Sequence, residues 1–184
     1  MDNLLINLSS EGIKPIKLDD IEAEFEEGYE TYEFYNAVLK SAKERLYIYG
    51  RKNRKLFTKN NTKIKELLSN NVDFKCLFLS DKANASILKI AQDNDNFEED
   101  LQKVINNVKD KYKDNIECFK KYDFQQLKRI IIVDNAIIVS DVEFQNGKVK
   151  HFTKGSFKVY DANSVEGISL TNEFNKVWDI SKNI

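Results

Sequence analysis

Residues 127–140, with the sequence LKRIIIVDNAIIVS, determine how the rest of the chain is interpreted. Residues 127–133 are β-branched and apolar enough to form a central strand, since a strand with both faces buried carries an almost continuous hydrophobic run. Asp134 and Asn135 follow as a two-residue turn, and the apolar residues 136–139 then predict the returning strand of a hairpin. We therefore expect a sheet built around this hairpin.

Helices and strands are predicted to alternate on the N-terminal side of the hairpin. The predicted elements are a helix over residues 29–44, a strand over 46–50, a basic loop over 51–59, a helix that begins at 60–62 and a strand over 74–79. The second of these helices has Ile64, Leu67 and Leu68 on its buried face, and the asparagines before it can cap its first turn. Two strands joined through a helix predict a parallel pair.

The C-terminal side adds further helices and a second hairpin. The predicted elements are helices over residues 87–91 and 97–108, a strand over 116–122, a hairpin over 142–152 with Asn146 and Gly147 in its turn, and a last helix over 171–181. The two middle helices would cover one face of the sheet. Together the elements predict an α/β fold with a mixed, largely parallel sheet that is flanked by helices.

Charge is divided along the 184-residue chain. The net charge is -1, yet residues 1–35 carry ten acidic and two basic side chains, whereas residues 36–65 carry ten basic and one acidic. We expect residues 1–28 to form an acidic N-terminal arm and residues 29–184 to form one domain. A solvated arm beside a solvated loop is the alternative interpretation of this asymmetry.

The composition argues against membrane, secreted and metal-binding classes. No stretch approaches the roughly 20 apolar residues of a transmembrane helix, and residues 1–10 are unlike a secretory signal, which favours a cytoplasmic protein without membrane contact. Cys76 and Cys118 lie in apolar runs without a Cys or His at ligand spacing. They predict neither a disulfide framework nor a zinc site, and no metal or cofactor is expected.

Residues 127–140 resemble the HxKxxxxD element of the phospholipase D superfamily and the hairpin strand that follows it. In that alignment Leu127 stands where the family has His, Arg129 where it has Lys, and Asp134 where it has Asp. Residues 34–50 are similar to the family's opening helix and strand, and the closing helix of the family resembles residues 170–178. The resemblance implies half of a phospholipase D-like fold.

The resemblance also implies that the family's chemistry is lost. Family enzymes attack phosphorus with one His, protonate the leaving group with another and hold the phosphate oxygens with Lys, and a chain with a single motif assembles such a site as a homodimer. Leu127 has no lone pair to attack and no proton to deliver, so we expect a catalytically degenerate binding or regulatory module. Arg129 can still grip a phosphate bidentately. Asp134 is either part of that site or a turn residue that accepts hydrogen bonds from backbone.

A basic loop is the second candidate site. Arg51, Lys52, Arg54 and Lys55 follow a predicted strand and precede a helix N-terminus, a position at which open α/β sheets bind anions. The loop therefore predicts binding of nucleic acid or of a phosphorylated small molecule. A solvated charge run is the alternative.

Two other functions stay open. His151, with Lys154 three residues on, could serve a phosphodiesterase or nuclease with a non-standard nucleophile, although an ordinary strand or turn histidine is the alternative. The acidic residues 19–33 could instead make the protein an adaptor that docks onto a basic protein partner, or could fold back on the basic loop. No helix-turn-helix segment is visible, so any DNA-binding partner would be a separate chain.

Overall fold

Eleven strands and seven α-helices make up the described part of the chain. The computed structural model describes residues 1–91, 96–142, 144–145, 148–149 and 155–184. The helices are α1 (Asp2–Ser10), α2 (Tyr32–Ser41), α3 (Arg54–Lys59), α4 (Asn61–Ser69), α5 (Ala85–Ala91), α6 (Phe97–Lys111) and α7 (Val165–Ile180), with a 3-10 helix over Lys113–Cys118. The strands are β1 (Lys17–Leu18), β2 (Glu22–Phe25), β3 (Arg45–Tyr49), β4 (Asp73–Leu79), β5 (Phe119–Tyr122), β6 (Lys128–Val133), β7 (Ala136–Asp141), β8 (Phe144–Gln145), β9 (Lys148–Val149), β10 (Phe157–Asp161) and β11 (Lys182–Asn183).

Nine of these strands form one open sheet in the order β1-β2-β10-β7-β6-β3-β4-β5-β11, and β8 pairs with β9 separately. β4 runs parallel to both β3 and β5, and the remaining pairs of the large sheet are antiparallel. The mixed α/β class with flanking helices is confirmed, but the expected largely parallel sheet is in fact mostly antiparallel. Helical crossovers give parallel neighbours only around β4, whereas the tight turn between β6 and β7 forces an antiparallel pair.

β6 is the strand at which the two halves of the core meet. Its side chains alternate between the faces of the sheet. Ile131 and Val133 pack into the cluster that includes α1 to α4, while Ile130 and Ile132 pack into the cluster of α5, α6 and α7. The predicted central hairpin is therefore present, with β6 between β3 and β7.

Residues 1–28 are folded onto the rest of the protein. α1 packs on α2 and buries Leu4 and Leu8, and β2 pairs with β10 and buries Phe25. The acidic segment thus contributes a packed helix and a strand of the main sheet, and its deletion would uncover β10 and α2. The division of the chain into residues 1–28 and 29–184 stays a prediction.

Three predicted elements differ in their limits. The strand predicted over residues 116–122 is a 3-10 helix as far as Cys118, and only Phe119–Tyr122 is extended. The loop predicted over residues 51–59 contains α3. The last helix begins at Val165, because the Ser164 hydroxyl caps it by accepting a hydrogen bond from a backbone N–H of its first turn. The predicted turn residues Asn146 and Gly147 lie outside the described residues. Among the helices of the described ranges, none is both long and apolar enough to cross a membrane.

Candidate functional site

Buried polar side chains are concentrated at one edge of the sheet. At this edge β3, β4 and β7 end and β6 begins, as the pairing of Tyr49 with Ile130 shows. Six of the eight buried polar or charged residues in the described ranges lie there, namely Arg51, Asn53, Ser80, Gln126, Arg129 and Ser140, which we call the polar edge. Burying such groups costs free energy, and ligands of open sheets bind where parallel strands end. The polar edge is therefore the candidate functional site.

Arg129 is the more deeply buried of the two arginines at the polar edge. It is 1% exposed, and the strand period puts it on the same sheet face as Ile131. Its Nε lies 4.0 Å from Oε1 of Glu30, and its guanidinium carbon lies 6.0 Å from the centre of the Tyr29 ring. Its neighbour across the hairpin is Ser140. A guanidinium, a carboxylate and a phenol ring are thus brought together beside the end of β7.

Leu127 is the side chain that stands where the resemblance places a nucleophilic histidine. It directly precedes β6, and its carbonyl accepts a hydrogen bond from the backbone N–H of Val142 at 2.9 Å. It is 62% exposed. The position at which the resemblance places a histidine therefore carries an apolar, unreactive group that is exposed to solvent.

Tyr122 is a buried phenol whose hydroxyl connects the end of β3 to Gln126 at the polar edge. Its hydroxyl oxygen is 3.0 Å from both the Gly50 carbonyl and Oε1 of Gln126. Burial raises the pKa of Tyr122 far above its ordinary value, while the positive charges of Arg51 and Arg129 act in the opposite direction. The phenol consequently remains neutral, and its one O–H is shared between the Gly50 carbonyl and Oε1 of Gln126.

Arg51 has a structural position within the polar edge. Its NH1 donates to the carbonyl of Ala91 at the end of α5, and its guanidinium carbon lies 5.7 Å from the centre of the Phe97 ring in α6. Gly50 before it is required, because a Cβ there would lie 2.0 Å from Oδ1 of Asn53. Arg51 therefore fastens the end of β3 to the helices beyond the sheet.

The other three predicted cations of the basic loop differ in how far they are paired with acidic side chains. Lys52 Nζ lies 3.8 Å and Arg54 NH1 2.7 Å from Oδ2 of Asp100 in α6, and the Lys52 ammonium also lies over Phe97. The Arg54 side chain is nonetheless 59% exposed. Lys55 is exposed and forms no ion pair with any residue that the structure describes. The loop thus offers Arg54 and Lys55 to solvent and folds the other two cations inward.

Asp134 lies at the opposite end of β6 from Arg129. Asp134 lies five residue steps along the extended chain from Arg129, which corresponds to about 16 Å. Its carboxylate accepts hydrogen bonds from the backbone N–H groups of Lys43, Glu44 and Arg45 at 2.9 to 3.1 Å, and its φ of 47° is left-handed. The structure does not bring Asp134 to the polar edge. Its hydrogen-bond donors are instead backbone N–H groups about 90 residues earlier in the sequence.

His151 and Lys154, the residues of the phosphodiesterase alternative, lie outside the described residues. β9, which precedes them, contacts α5 beside the polar edge.

Burial raises the pKa of the Cys118 thiol to about 11, so this thiol is neutral near pH 7. In the part of the chain with described coordinates, no group of three or more His, Cys, Asp or Glu side chains could hold a metal ion.

Six side chains of the site were missed by the sequence predictions, namely Glu30, Asn53, Ser80, Tyr122, Gln126 and Ser140. Asn53 lies in the predicted basic loop, and Ser80 directly follows a predicted strand. Tyr122 and Ser140 lie at the ends of predicted strands, and their position was the signal that could have marked them. Glu30 and Gln126 lie in connecting segments, where spacing carries no information about which strand end they approach.

Comparison with solved structures supports the fold. No family model matches the sequence, and the search of curated proteins found no match. TrmBL2, an archaeal chromatin protein, is similar with a TM-score of 0.54 and 10% identity over 100% of this chain and 60% of its own. A phosphatidylserine synthase of Haemophilus influenzae Rd KW20 is similar with a TM-score of 0.56 and 14% identity over 92% of this chain and 41% of its own.

A phospholipase D family member, Nuc from Salmonella typhimurium, is also similar, with a TM-score of 0.47 and 11% identity over 80% of this chain and 88% of its own. The chain spans less than two thirds of the length of TrmBL2 and of the synthase. The similarities to TrmBL2 and to the synthase, at TM-scores above 0.5 and low identity, show a shared fold.

The position of Asp134 yields a prediction about stability. Asp134→Ala removes an acceptor of three backbone hydrogen bonds and places alanine at a left-handed φ, so we expect a loss of about 2 to 4 kcal/mol in the free energy of unfolding. Asp134→Asn keeps an acceptor and tolerates that φ, and should lose about 1 kcal/mol. Urea unfolding measures both. Unchanged stability in Asp134→Ala, combined with weaker ligand binding, would instead place Asp134 in the ligand site.

Proposed function

We propose that this protein is a catalytically degenerate binding or regulatory module with a phospholipase D-like fold, and that it binds a phosphate-bearing ligand at the polar edge. The observation that carries this proposal is the burial of two arginines, Arg51 and Arg129, at one edge of the sheet, where the positive charge of each acts to lower the pKa of Tyr122. A guanidinium presents a rigid fork that matches a phosphate bidentately. In such dry surroundings each charge-assisted hydrogen bond is stronger than in water.

Arg129 is the side chain to which we assign the phosphate. Arg51 is already hydrogen-bonded to the end of α5, so we assign it only a long-range electrostatic attraction for the ligand. Arg54 and Lys55 are exposed along α3 and would attract the remaining phosphates of a longer ligand. This spread of charge favours a nucleic acid as the ligand. TrmBL2, a DNA-binding protein of similar fold, supports the same choice.

A second candidate function is an adaptor for a basic protein partner. A groove of about 830 Å³ lies between α7 and strands β2, β10 and β7. Its lining includes Val165, which is 79% exposed, and the carboxylates of Glu26, Asp141 and Glu166. None of these three carboxylates is paired with a cation in the described ranges, whereas Lys158 in the groove is bonded to glutamates of β2. An apolar and acidic groove suits a segment that carries both apolar and basic side chains.

The remaining assignments rest on the resemblance. A homodimer follows because a half-domain of this fold would cover its exposed site face with a second copy about a two-fold axis. A cytoplasmic location and the absence of a cofactor stay predictions. The phosphodiesterase alternative through His151 and Lys154 stays a prediction as well.

The binding proposal predicts two separable effects. Arg129→Lys keeps the charge but removes the fork, so affinity for inorganic pyrophosphate and for labelled DNA should fall at least about tenfold. Arg54→Ser with Lys55→Ser should flatten the dependence of log affinity on log salt by about 1.8 on duplex and about 1.4 on single-stranded DNA. Calorimetry for pyrophosphate and fluorescence anisotropy for DNA at two salt concentrations measure these effects.

The matched control for the charge pair is Lys109→Ser with Lys111→Ser, which removes two exposed cations from α6. We expect this control to leave the salt dependence unchanged. An equal effect of both double variants would mean diffuse attraction rather than a site. Pyrophosphate binding without DNA binding would identify a phosphorylated small molecule as the ligand, and no binding of either probe by the wild-type protein or by any variant would refute the proposal.

Loss of the nucleophile yields a prediction about activity. Because Leu127 cannot attack phosphorus, the protein should leave bis-p-nitrophenyl phosphate and single-stranded DNA intact in the presence of EDTA. Release of p-nitrophenol and gel electrophoresis monitor the two substrates. Turnover that disappears in His151→Ala would overturn this prediction and favour the phosphodiesterase alternative.

The homodimer is tested by light scattering after size-exclusion chromatography. We expect a mass of twice 21.5 kDa at micromolar concentration. A second run at tenfold lower concentration separates a stable dimer from a weak one. A mass of 21.5 kDa at both concentrations would contradict the homodimer.

A further inference from the structure

Glu30 lies against the arginine to which the phosphate is assigned. Its Oε1 is 4.0 Å from Nε of Arg129, and its side chain is 30% exposed whereas that of Arg129 is 2% exposed. Glu30 is therefore the member of the pair that faces solvent. A ligand that approaches the guanidinium from solvent on this side meets the carboxylate first.

The backbone holds Glu30 in an unusual conformation. Its φ of 60° is left-handed, which glycine or asparagine adopts more readily than glutamate. The flanking residues are fixed: the N–H of Tyr29 donates to the Gly155 carbonyl at 3.1 Å, and the N–H of Thr31 donates to the Gly28 carbonyl at 3.2 Å. Strained residues of this kind persist only where their surroundings determine them, and they occur often at ligand clamps.

The charges of Glu30 and Arg129 act on the same buried phenols. Burial raises the pKa of Tyr29 and of Tyr35 strongly, Glu30 raises the pKa of both further, and Arg129 acts in the opposite direction. The carboxylate and the guanidinium thus both act on these buried phenols, and the guanidinium itself is almost fully removed from water, where electrostatic interactions are only weakly screened. A carboxylate also offers a guanidinium the two-oxygen geometry that a phosphate offers.

We propose that Glu30 occupies the ligand position beside Arg129 in the free protein and must leave it before a phosphate can bind. This inference rests on the proposed function and assigns its regulation to an internal competitor. A ligand has to offset the contact between Glu30 and Arg129, so its apparent affinity is lower than the intrinsic affinity of Arg129. Phosphates with more charge, such as pyrophosphate, compete better than a monoanion.

Two substitutions of Glu30 test the competition directly. Glu30→Gln removes the charge and keeps the shape, and should raise the affinity for inorganic pyrophosphate about tenfold. Glu30→Gly removes the side chain and suits the left-handed φ, so affinity should rise at least as much without a fall in the melting temperature. Calorimetry measures the affinities, and circular dichroism confirms that the variants are folded.

Glu33→Gln is the matched control, because it removes the same charge three residues away from an exposed side chain. Its affinity should stay within about twofold of the wild-type value. In the double variant with Glu30→Gln and Arg129→Lys, the gain seen in Glu30→Gln alone should be lost. A gain as large in Glu33→Gln, or a gain that survives the loss of Arg129, would overturn the role of Glu30.

The outcomes separate this inference from the proposed function. Equal pyrophosphate binding by wild-type protein and Glu30→Gln refutes the competitor and leaves the phosphate site in place. Binding by Glu30→Gln alone supports both the site and its blockage in the free protein. Absence of pyrophosphate binding in every variant refutes the competitor, and absence of DNA binding as well refutes the proposed function.

Discussion

The pairing of β6 between β3 and β7 is the constraint on which the rest of the structure depends. β6 is buried on both faces, so a shift of its register by one residue would exchange the side chains of the two core halves. Asp134 holds one end of this strand to the segment before β3, and the polar edge begins at the other end. The position of Arg129 is therefore fixed by the same interactions that fix the core.

Local patterns made part of this fold predictable from the sequence. The β6–β7 hairpin needs only an apolar run and a two-residue turn, and the parallel β3–β4 pair needs only a strand, a helix and a strand. The antiparallel majority depends on pairings between distant segments. β2 reads EAEF, an acidic stretch, yet it lies beside β10 because its two apolar side chains face the core and its glutamates bind Lys158. No local pattern predicts that partner.

The residues of the site also differ in whether local sequence or distant packing determines their position. Arg129 could be identified because the alignment of a single strand fixes its position. The roles of Arg51 and Lys52 could not, since they depend on Ala91 and Asp100, partners about forty to fifty residues away that only the packing of α5 and α6 brings near. Asp134 lies at the far end of β6 from Arg129, because the five residue steps between these two positions of the motif are extended strand.

Under the proposal made above, an exposed Leu127 and an Arg129 that is paired with Glu30 are consistent with a binding function. Turnover requires a nucleophile and a rapid exchange of ligand, and an internal carboxylate that competes with the substrate would slow an enzyme without benefit. A sensor needs a threshold instead, and a competitor of fixed strength supplies one, because only ligands that interact with Arg129 more favourably than Glu30 displace it.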